Sequence, residues 1–197
     1  MNRQFQRVAG RQVDPGPLQG YQLGWEAHYD ELRNTIKTAL QDQALSIDHV
    51  GSTAIPGLIA KPVIDIDLTV LDVDDEASYL PQLEAAGFRL IFRDEFGTDA
   101  HRQLTFALPN ANLHVWNPGA IEPQRHQLFK QWLQTCPQDR ERYATAKLEA
   151  VESNGATRYN DLKAAVVYDI YERAFLADPS HKHDPQPRGT ASVAAVS

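Results

Sequence analysis

Apolar and polar positions first repeat with the period of a helix and then with the period of strands. Apolar side chains recur at helical spacing early in the chain, which predicts an amphipathic helix over residues 22–41. Its apolar positions are Trp25, Tyr29, Leu32, Ile36 and Leu40. ALSIDHV then predicts a short strand ending at Gly51. KPVIDIDLTV predicts a second strand, because β-branched and apolar residues supply its bulk.

The middle of the chain predicts one more helix and three more strands, and the last third predicts helices alone. DDEASYLPQLEAAG reads as a helix despite Pro81, and FRLIFRD, RQLTFALP and NLHVWN read as strands, the last two joined by a tight Pro-Asn turn. Three helical segments follow, separated by Pro137 and the region of Gly155: EPQRHQLFKQWLQTC, PQDRERYATAKLEAVES and NDLKAAVVYDIYERAFLA. This order predicts an α/β (α+β) fold, a sheet with a C-terminal helical cap, as one domain or two packed lobes.

The two ends of the chain lack such periodicity. Residues 1–20 are rich in Gly, Pro and Gln, and residues 177–197 are rich in Pro, Ser and Ala without a hydrophobic face. Both segments are therefore predicted to be flexible, and His181 and His183 of the tail are assigned to solvent. The folded domain is expected over residues 21–176, with a sheet-containing core at about 21–120 and a helical cap at about 121–176.

Composition narrows the class of protein. No apolar run approaches the roughly 20 residues of a membrane-spanning helix, and the N-terminus has no signal-peptide core, so a cytoplasmic location is expected. Cys136 is the only cysteine, which excludes an intramolecular disulfide and a thiolate metal cluster. The formal charge of −7 argues against a broad nucleic-acid-binding surface. A nucleotide-like substrate held by a few local cations fits better.

The second strand carries two aspartates in an apolar run. Side chains two positions apart share a face, so Asp65 and Asp67 project together while Ile64, Ile66 and Leu68 face the other way. Two such carboxylates raise each other's pKa unless a cation lies between them, and paired oxygen ligands suit Mg²⁺. The alternative is a strand with one hydrated face.

A Gly-Ser turn precedes this strand. Glycine permits close backbone approach at Gly51, and the amide and hydroxyl of Ser52 suit a phosphate. The turn lies 13 residues ahead of Asp65, with a second turn at Pro56-Gly57 between them. This arrangement resembles the signature of the nucleotidyltransferase superfamily, in which the turn grips nucleotide phosphates and the aspartates hold metal.

The whole stretch HVGSTAIPGLIAKPVIDIDLTV, residues 49–70, is similar to the core motif of the GrpB family. The resemblance continues through NLHVW and RHQLFKQWLQTCP and covers about residues 21–176. It implies a nucleotidyltransferase-like mixed β-sheet flanked by helices, with phosphate binding by Gly51, Ser52 and Thr53. The family has no settled reaction, so metal-dependent nucleotidyl transfer to an unknown acceptor is inferred from the motif.

Nucleotidyltransferases place a third carboxylate on a later strand, and the matching residue in NLHVW is His114. A neutral imidazole there would activate the acceptor or bind metal, whereas the alternative is a core histidine. With His49, Asp65 and Asp67 it would form a two-His, two-Asp cluster. Such a cluster suits Mn²⁺, Fe²⁺ or Zn²⁺ better than Mg²⁺ and opens metal-dependent hydrolysis as a second chemistry.

Several basic residues are candidates for binding phosphate. Lys61 would neutralise the aspartates or a substrate phosphate, or is a solvated loop residue. On predicted helices a tyrosine precedes a lysine by four positions twice, so each pair shares a face and would stack a base and bind a phosphate, or simply pack. These pairs are Tyr143 with Lys147 and Tyr159 with Lys163, and the further candidates are Arg93, Arg102 and Arg125.

The sequence thus favours an Mg²⁺-dependent nucleotidyltransferase-like enzyme. Asp65, Asp67, His114 and Lys61 would be catalytic, and the partners would be a nucleotide and an unknown acceptor. Because the third carboxylate is absent, a non-catalytic binding or partner module on the same fold is the main alternative. The acceptor and the oligomeric state are left open.

Overall fold

Strands and helices are interspersed in the first part of the computed structural model, which describes residues 5–96, 99–152 and 156–177. The chain divides into two compact units, Met1–His126 and Gln127–Ser197. In the described part of the first unit the strands and α-helices are β1 (Phe5–Arg7), α1 (Gly24–Leu40), β2 (Ser46–Val50), β3 (Ile64–Thr69), α2 (Leu80–Ala85), β4 (Arg89–Phe96), β5 (Asp99–Phe106) and β6 (Ala111–Trp116). Helix α3 (Ile121–Thr135) begins in this unit.

The described strands form one mixed sheet in the order β1-β4-β5-β6-β3-β2. Neighbouring strands are antiparallel except β3 and β6, which are parallel. Because β4 and β5 lie between them in the chain, the central β3–β6 pair joins segments distant in sequence. The predicted α/β fold with a mixed sheet is confirmed.

One face of the sheet carries the hydrophobic core. Ile64, Ile66 and Leu68 of β3 are almost fully buried and belong to the same cluster as the apolar face of α1. Other members of this cluster are Trp25, Leu32, Ile36, Leu40, Tyr79, Leu83, Leu104, Leu113 and Val115. Burial of each large aliphatic side chain contributes about 1.5–3 kcal/mol. The alternation predicted for β3 therefore holds, because its apolar side is fixed by the core.

The N-terminal segment differs from the prediction of flexibility over residues 1–20. Phe5–Arg7 pair with β4 as the edge strand β1, and Gln19 forms an isolated bridge with Ala60. The three side chains of β1 are exposed, so its pairing rests on backbone hydrogen bonds and leaves no hydrophobic period in the sequence. Residues 1–4 lie outside the described residues.

The segment predicted as one helix over DDEASYLPQLEAAG is divided. A 3₁₀ turn, Glu76–Ser78, is followed by the short helix α2, with Tyr79 at the junction. Pro81 lies in the first turn of α2, where its missing N–H costs no helical hydrogen bond. Tyr79 is fully buried, and its hydroxyl donates to the carbonyl of Val73 at 2.8 Å, which fixes the junction.

The second unit is helical where it is described. It holds the rest of α3, then α4 (Pro137–Glu152) and α5 (Ala156–Ala177). Asp139 at the start of α4 accepts hydrogen bonds from Trp132 and from Arg173, which ties the three helices together. Helix α4 begins at Pro137 as predicted, whereas Gly155 and the tail histidines His181 and His183 lie outside the described residues. None of the described helices has the length and apolar character needed to cross a bilayer.

Candidate functional site

The face of the sheet opposite the core is polar at its centre. The parallel register of β3 and β6 sets Asp65 beside Asn112 and Asp67 beside His114. Trp116 follows on the same side of β6, because side chains alternate along a strand. We call these five residues the polar face. The structure therefore brings together Asp65, Asp67 and His114, which the sequence singled out.

Asp67 is enclosed by protein donors. Its side chain is 2% exposed, Trp116 Nε1 donates to its Oδ1 at 3.0 Å, and His126 Nδ1 lies 2.7 Å from its Oδ2. Burial alone would raise the pKa of Asp67, but attraction to and hydrogen bonding by His126 hold it below the usual value. Burial would likewise lower the pKa of His126, yet Asp67 raises it overall. Each group therefore favours the charged form of the other.

Asp65 is held through an amide. Asn112 Nδ2 donates to Asp65 Oδ1 at 2.6 Å, and the Nη1 of Arg11 donates in turn to Asn112 Oδ1. A second guanidinium nitrogen of Arg11 donates to Asn110 Oδ1 at 3.1 Å. Burial lowers the pKa of Arg11, and Asp65 counteracts that effect. The N-terminal segment thus supplies a cation beside the first aspartate.

The Gly-Ser turn packs directly on Asp65. Gly51 has φ 70° and ψ −169°, a backbone conformation accessible essentially to glycine alone. A Cβ placed at Gly51 would lie 2.9 Å from Asp65 Cβ and closer still to the carboxylate. Ser52 follows as the part-exposed first residue of a 3₁₀ turn, Ser52–Ala54. The close approach expected of Gly51 is therefore made to Asp65.

Two predicted site residues point elsewhere. The hydroxyl of Thr53 is buried and donates to the carbonyl of Val63 at 3.1 Å, so in this structure the side chain is turned into the protein. His49 pairs with Ile66 across β2 and β3, which places it on the core side, away from the aspartates. There it stacks on Tyr29 with ring centres 4.7 Å apart, and its Nε2 lies 3.1 Å from the Thr53 hydroxyl.

The predicted two-His, two-Asp cluster is not assembled in this structure, because His49 lies on the face opposite the two aspartates. Among the described residues no group of three or more His, Cys, Asp or Glu side chains is arranged to hold a metal ion. The carboxylate pair has the oxygen chemistry that Mg²⁺ prefers. However, both oxygens of Asp67 already accept hydrogen bonds, so Asp67 does not fit a metal as arranged. The chain's own cations, Arg11 and His126, balance the two charges.

His114 belongs to a second hydrogen-bonded row. Its Nδ1 lies 3.0 Å from His101 Nε2, and His101 Nδ1 lies 2.5 Å from Asp94 Oδ1. Burial lowers the pKa of His101 despite the bond to Asp94. Burial, followed by the neighbouring His101, lowers the pKa of His114 to about 3. Both rings are therefore neutral at neutral pH.

The predicted basic residues have separate surroundings. Lys61 is part-buried between Ala60, which pairs with Gln19, and Pro62. Arg93 and Arg102 both donate to Glu76 at 2.6 Å, and Arg125 donates to Glu122 at 2.9 Å. Each of these arginines is therefore paired with a carboxylate in this structure.

In the second unit Lys147 is 2% exposed, with its Nζ 4.6 Å from the ring centre of Tyr143. The pair shares a helix face as the spacing predicted, and its burial favours the packing alternative. Lys163 is part-buried on α5. The side chain of Tyr159 lies outside the described residues.

Sequence reasoning missed several residues that build this site. Asn112 and Trp116 alternate with His114 along NLHVW, so the period of two would have found them. Arg11 lies in a segment without hydrophobic periodicity, so no pattern indicated its place at the site. His126, His101 and Asp94 carry no local signal, because only the tertiary fold places them beside the row.

Comparison with known proteins gives a consistent relationship. A family model described as GrpB protein matches residues 17–173. The UPF0157 protein BH1888 of Halalkalibacterium halodurans is 38% identical over 156 residues, covering 78% of this chain and 80% of that protein. The dephospho-CoA kinase of Mycobacterium tuberculosis is 34% identical over 209 residues. That alignment covers 91% of this chain but 49% of the kinase, so the chain spans about half the kinase's length.

Two solved structures share the fold. GrpB from Enterococcus faecalis superposes with a TM-score of 0.71 at 24% identity, covering 82% of this chain and 98% of that chain. A chain of the GLD-2/RNP-8 complex superposes with a TM-score of 0.54 at 14% identity, covering 84% and 70%. At these identities the likeness concerns the fold alone.

Proposed function

The chain belongs to the GrpB family, and from this membership and the polar face we propose that it binds a nucleotide and transfers a nucleotidyl group to an acceptor. The contact between Gly51 and the Asp65 carboxylate carries the proposal. It joins the Gly-Ser turn to the carboxylate pair at one point of the sheet, as the superfamily signature requires. His114 lies on the adjacent strand, beside Asp67.

We assign each group a separate task. The amides of the Gly51-Ser52 turn and the Ser52 hydroxyl bind nucleotide phosphates. Lys61 neutralises charge on the transferred group. Transfer of this kind depends mainly on positioning and charge neutralisation, which rigidly held side chains provide.

His114 orients the acceptor. With a pKa of about 3 the imidazole is neutral but weakly basic, so it accepts a hydrogen bond from the acceptor rather than its full proton before reaction. The acceptor therefore presents a hydroxyl or amino group at this point.

Mg²⁺, or Mn²⁺ or Zn²⁺ in its place, belongs to the proposal as the expected cofactor. When bound it would neutralise phosphate charge, and Asp65 is the side chain whose contacts fit it best. Asp67 would first have to part from His126.

A thermal-shift screen of nucleoside triphosphates, with and without Mg²⁺, tests the binding step. A ligand at 100 times its Kd stabilises the fold by about 2.7 kcal/mol, which raises the Tm of a chain of this size by roughly 5–10 °C. We expect such a shift for the wild type and its loss in Asp65→Asn. Asp42→Asn removes the same charge at an exposed position and should keep the shift.

Pyrophosphate release from the bound nucleotide tests the transfer step. Pyrophosphate release by the wild type that is lost in Asp65→Asn would support nucleotidyl transfer by this chain. Nucleotide binding without release, across hydroxyl and amino acceptors, would instead support the non-catalytic binding module. The absence of any nucleotide-dependent shift in the wild type would contradict both.

A further inference from the structure

Asp94, His101 and His114 form a row across three neighbouring strands. The register sets Asp94 beside His101 on β4 and β5, and His101 beside Trp116 of β6. Asp94 and His101 are 6% and 2% exposed, while His114 is part-exposed. His101 also stacks on Trp116 with ring centres 4.2 Å apart, which fixes its plane. The row leads from a buried carboxylate to the polar face.

The chemistry of this row determines where the protons lie. An ionised carboxylate only accepts hydrogen bonds, so the Nδ1 of His101, 2.5 Å from Asp94, carries its proton. The Nε2 of the neutral His101 ring is then an acceptor. At 3.0 Å it can be bonded only if His114 Nδ1 donates to it. The remaining nitrogen of His114, Nε2, is left without a proton.

We propose that Asp94 and His101 are positioning residues that hold His114 with a bare Nε2, as the hydrogen-bond acceptor for the hydroxyl or amino group that receives the nucleotidyl unit. The assignment of the acceptor rests on the proposed function, whereas the tautomer follows from the row alone. No hydrogen-bond partner of His114 Nε2 is present among the described residues, so this lone pair is available to a ligand.

The row also explains why two buried residues support a part-exposed one. A histidine in water exchanges between tautomers, and one of them would present an N–H, which repels an incoming donor. Because Asp94 fixes the tautomer of His101, and His101 fixes that of His114, the tautomer of His114 is set before any substrate binds. Catalytic triads use the same principle: a carboxylate accepts a hydrogen bond from one imidazole nitrogen and so fixes the tautomer that the other nitrogen presents to the substrate.

Nitrogen-15 NMR of histidine-labelled protein at neutral pH tests the tautomers directly. In the wild type we expect Nδ1–H and a bare Nε2 for both His101 and His114, with the exposed His28 of α1 as the internal reference. His101→Phe keeps a ring on Trp116 but removes the acceptor. His114 should then move towards the Nε2–H form. Asp94→Asn offers an amide N–H to His101 and should invert both rings.

Asp42→Asn, which changes an exposed carboxylate, should leave both spectra unchanged. If pyrophosphate release is detected, both row variants should lower kcat by roughly 100-fold or more with little change in the KM for nucleotide. A proton on Nε2 of His114 in the wild type would overturn the proposal even if the variants fail to fold. Retention of the wild-type tautomer in both folded variants would also overturn it. Since the spectra need no nucleotide, a failure of nucleotide binding leaves the tautomer result standing.

Discussion

At Gly51 both the backbone conformation and the space available for a side chain require a glycine. Its φ of 70° and ψ of −169° are strained for any residue with a Cβ, at a cost of about 1–3 kcal/mol. The Asp65 carboxylate fills the place that a Cβ would occupy. A substitution therefore affects the fold and the site together.

Comparing Gly51→Ala with Gly57→Ala separates these effects. Gly57 also has a positive φ, 80°, but a Cβ there would meet no atom within 4 Å. We expect both variants to lower the free energy of unfolding by about 1–3 kcal/mol in urea titrations. Only Gly51→Ala should abolish the nucleotide-dependent thermal shift, because only it displaces Asp65. Equal binding by the two variants would show that the Gly51–Asp65 contact is dispensable.

The aspartate pair shows what spacing predicts at this scale and what it leaves out. Alternation along β3 correctly placed Asp65 and Asp67 on one face. The basic residues beside them, Arg11 and His126, are distant in sequence and were not predicted. The spacing predicted a cation between the carboxylates, whereas in the structure Arg11 reaches Asp65 through Asn112 and His126 contacts Asp67.

Among the elements, the N-terminal segment contributes more than its sequence suggests. Backbone pairing ties β1 to β4, and Arg11 then reaches Asn112 on the polar face. The segment thus connects the sheet edge to the support of Asp65.

Arg11→Met tests that connection. Loss of charge-assisted hydrogen bonds to Asn110 and Asn112 should lower the free energy of unfolding by about 1–3 kcal/mol, and loosening of Asp65 should weaken nucleotide binding. Arg7→Met is the matched control, because Arg7 is exposed and donates to the nearby carbonyl of Ala9. Its effect should stay within about 0.5 kcal/mol in the same urea titration. Indistinguishable variants would rule out a supporting role for Arg11.

The elements that the sequence predicted well are those with a strong hydrophobic period. Helix α1 and strands β3 and β6 have one apolar side, and that side is buried against the core. Strand β1 has no buried side chain, and the break at Tyr79 depends on a tertiary hydrogen bond to Val73. Neither leaves a periodic signal, so neither was predictable.

For the whole molecule, three histidines with shifted pKa values make stability depend on pH in both directions. The pKa of His114 is lowered from 6.5 to about 3, and the pKa of His101 is lowered too. Below pH 6.5 these two histidines therefore bind protons in the unfolded chain more readily than in the folded chain. Stability falls as the pH drops below about 6.5. The pKa of His126 is raised, so its contribution is present below 6.5 and is lost as pH rises through its folded value.

Unfolding measured between about pH 4 and pH 9 should therefore show greatest stability near pH 6.5. Each group changes the free energy of unfolding by at most about 1.4 kcal/mol per pH unit. His126→Gln should flatten the alkaline side of the profile, and His114→Gln should flatten the acid side. An alkaline decline that persists unchanged in His126→Gln would show that the Asp67–His126 pair does not cause it.

The parallel seam between β3 and β6 has a consequence for the order of folding. Pairings of β4, β5 and β6 join neighbouring segments, whereas the seam closes a longer loop and loses more chain entropy than those pairings do. Asp67 meets His114 only when this seam forms. A chain that has not completed its sheet carries aspartates on one part and imidazoles on another. The polar face is therefore assembled only in the fully folded protein.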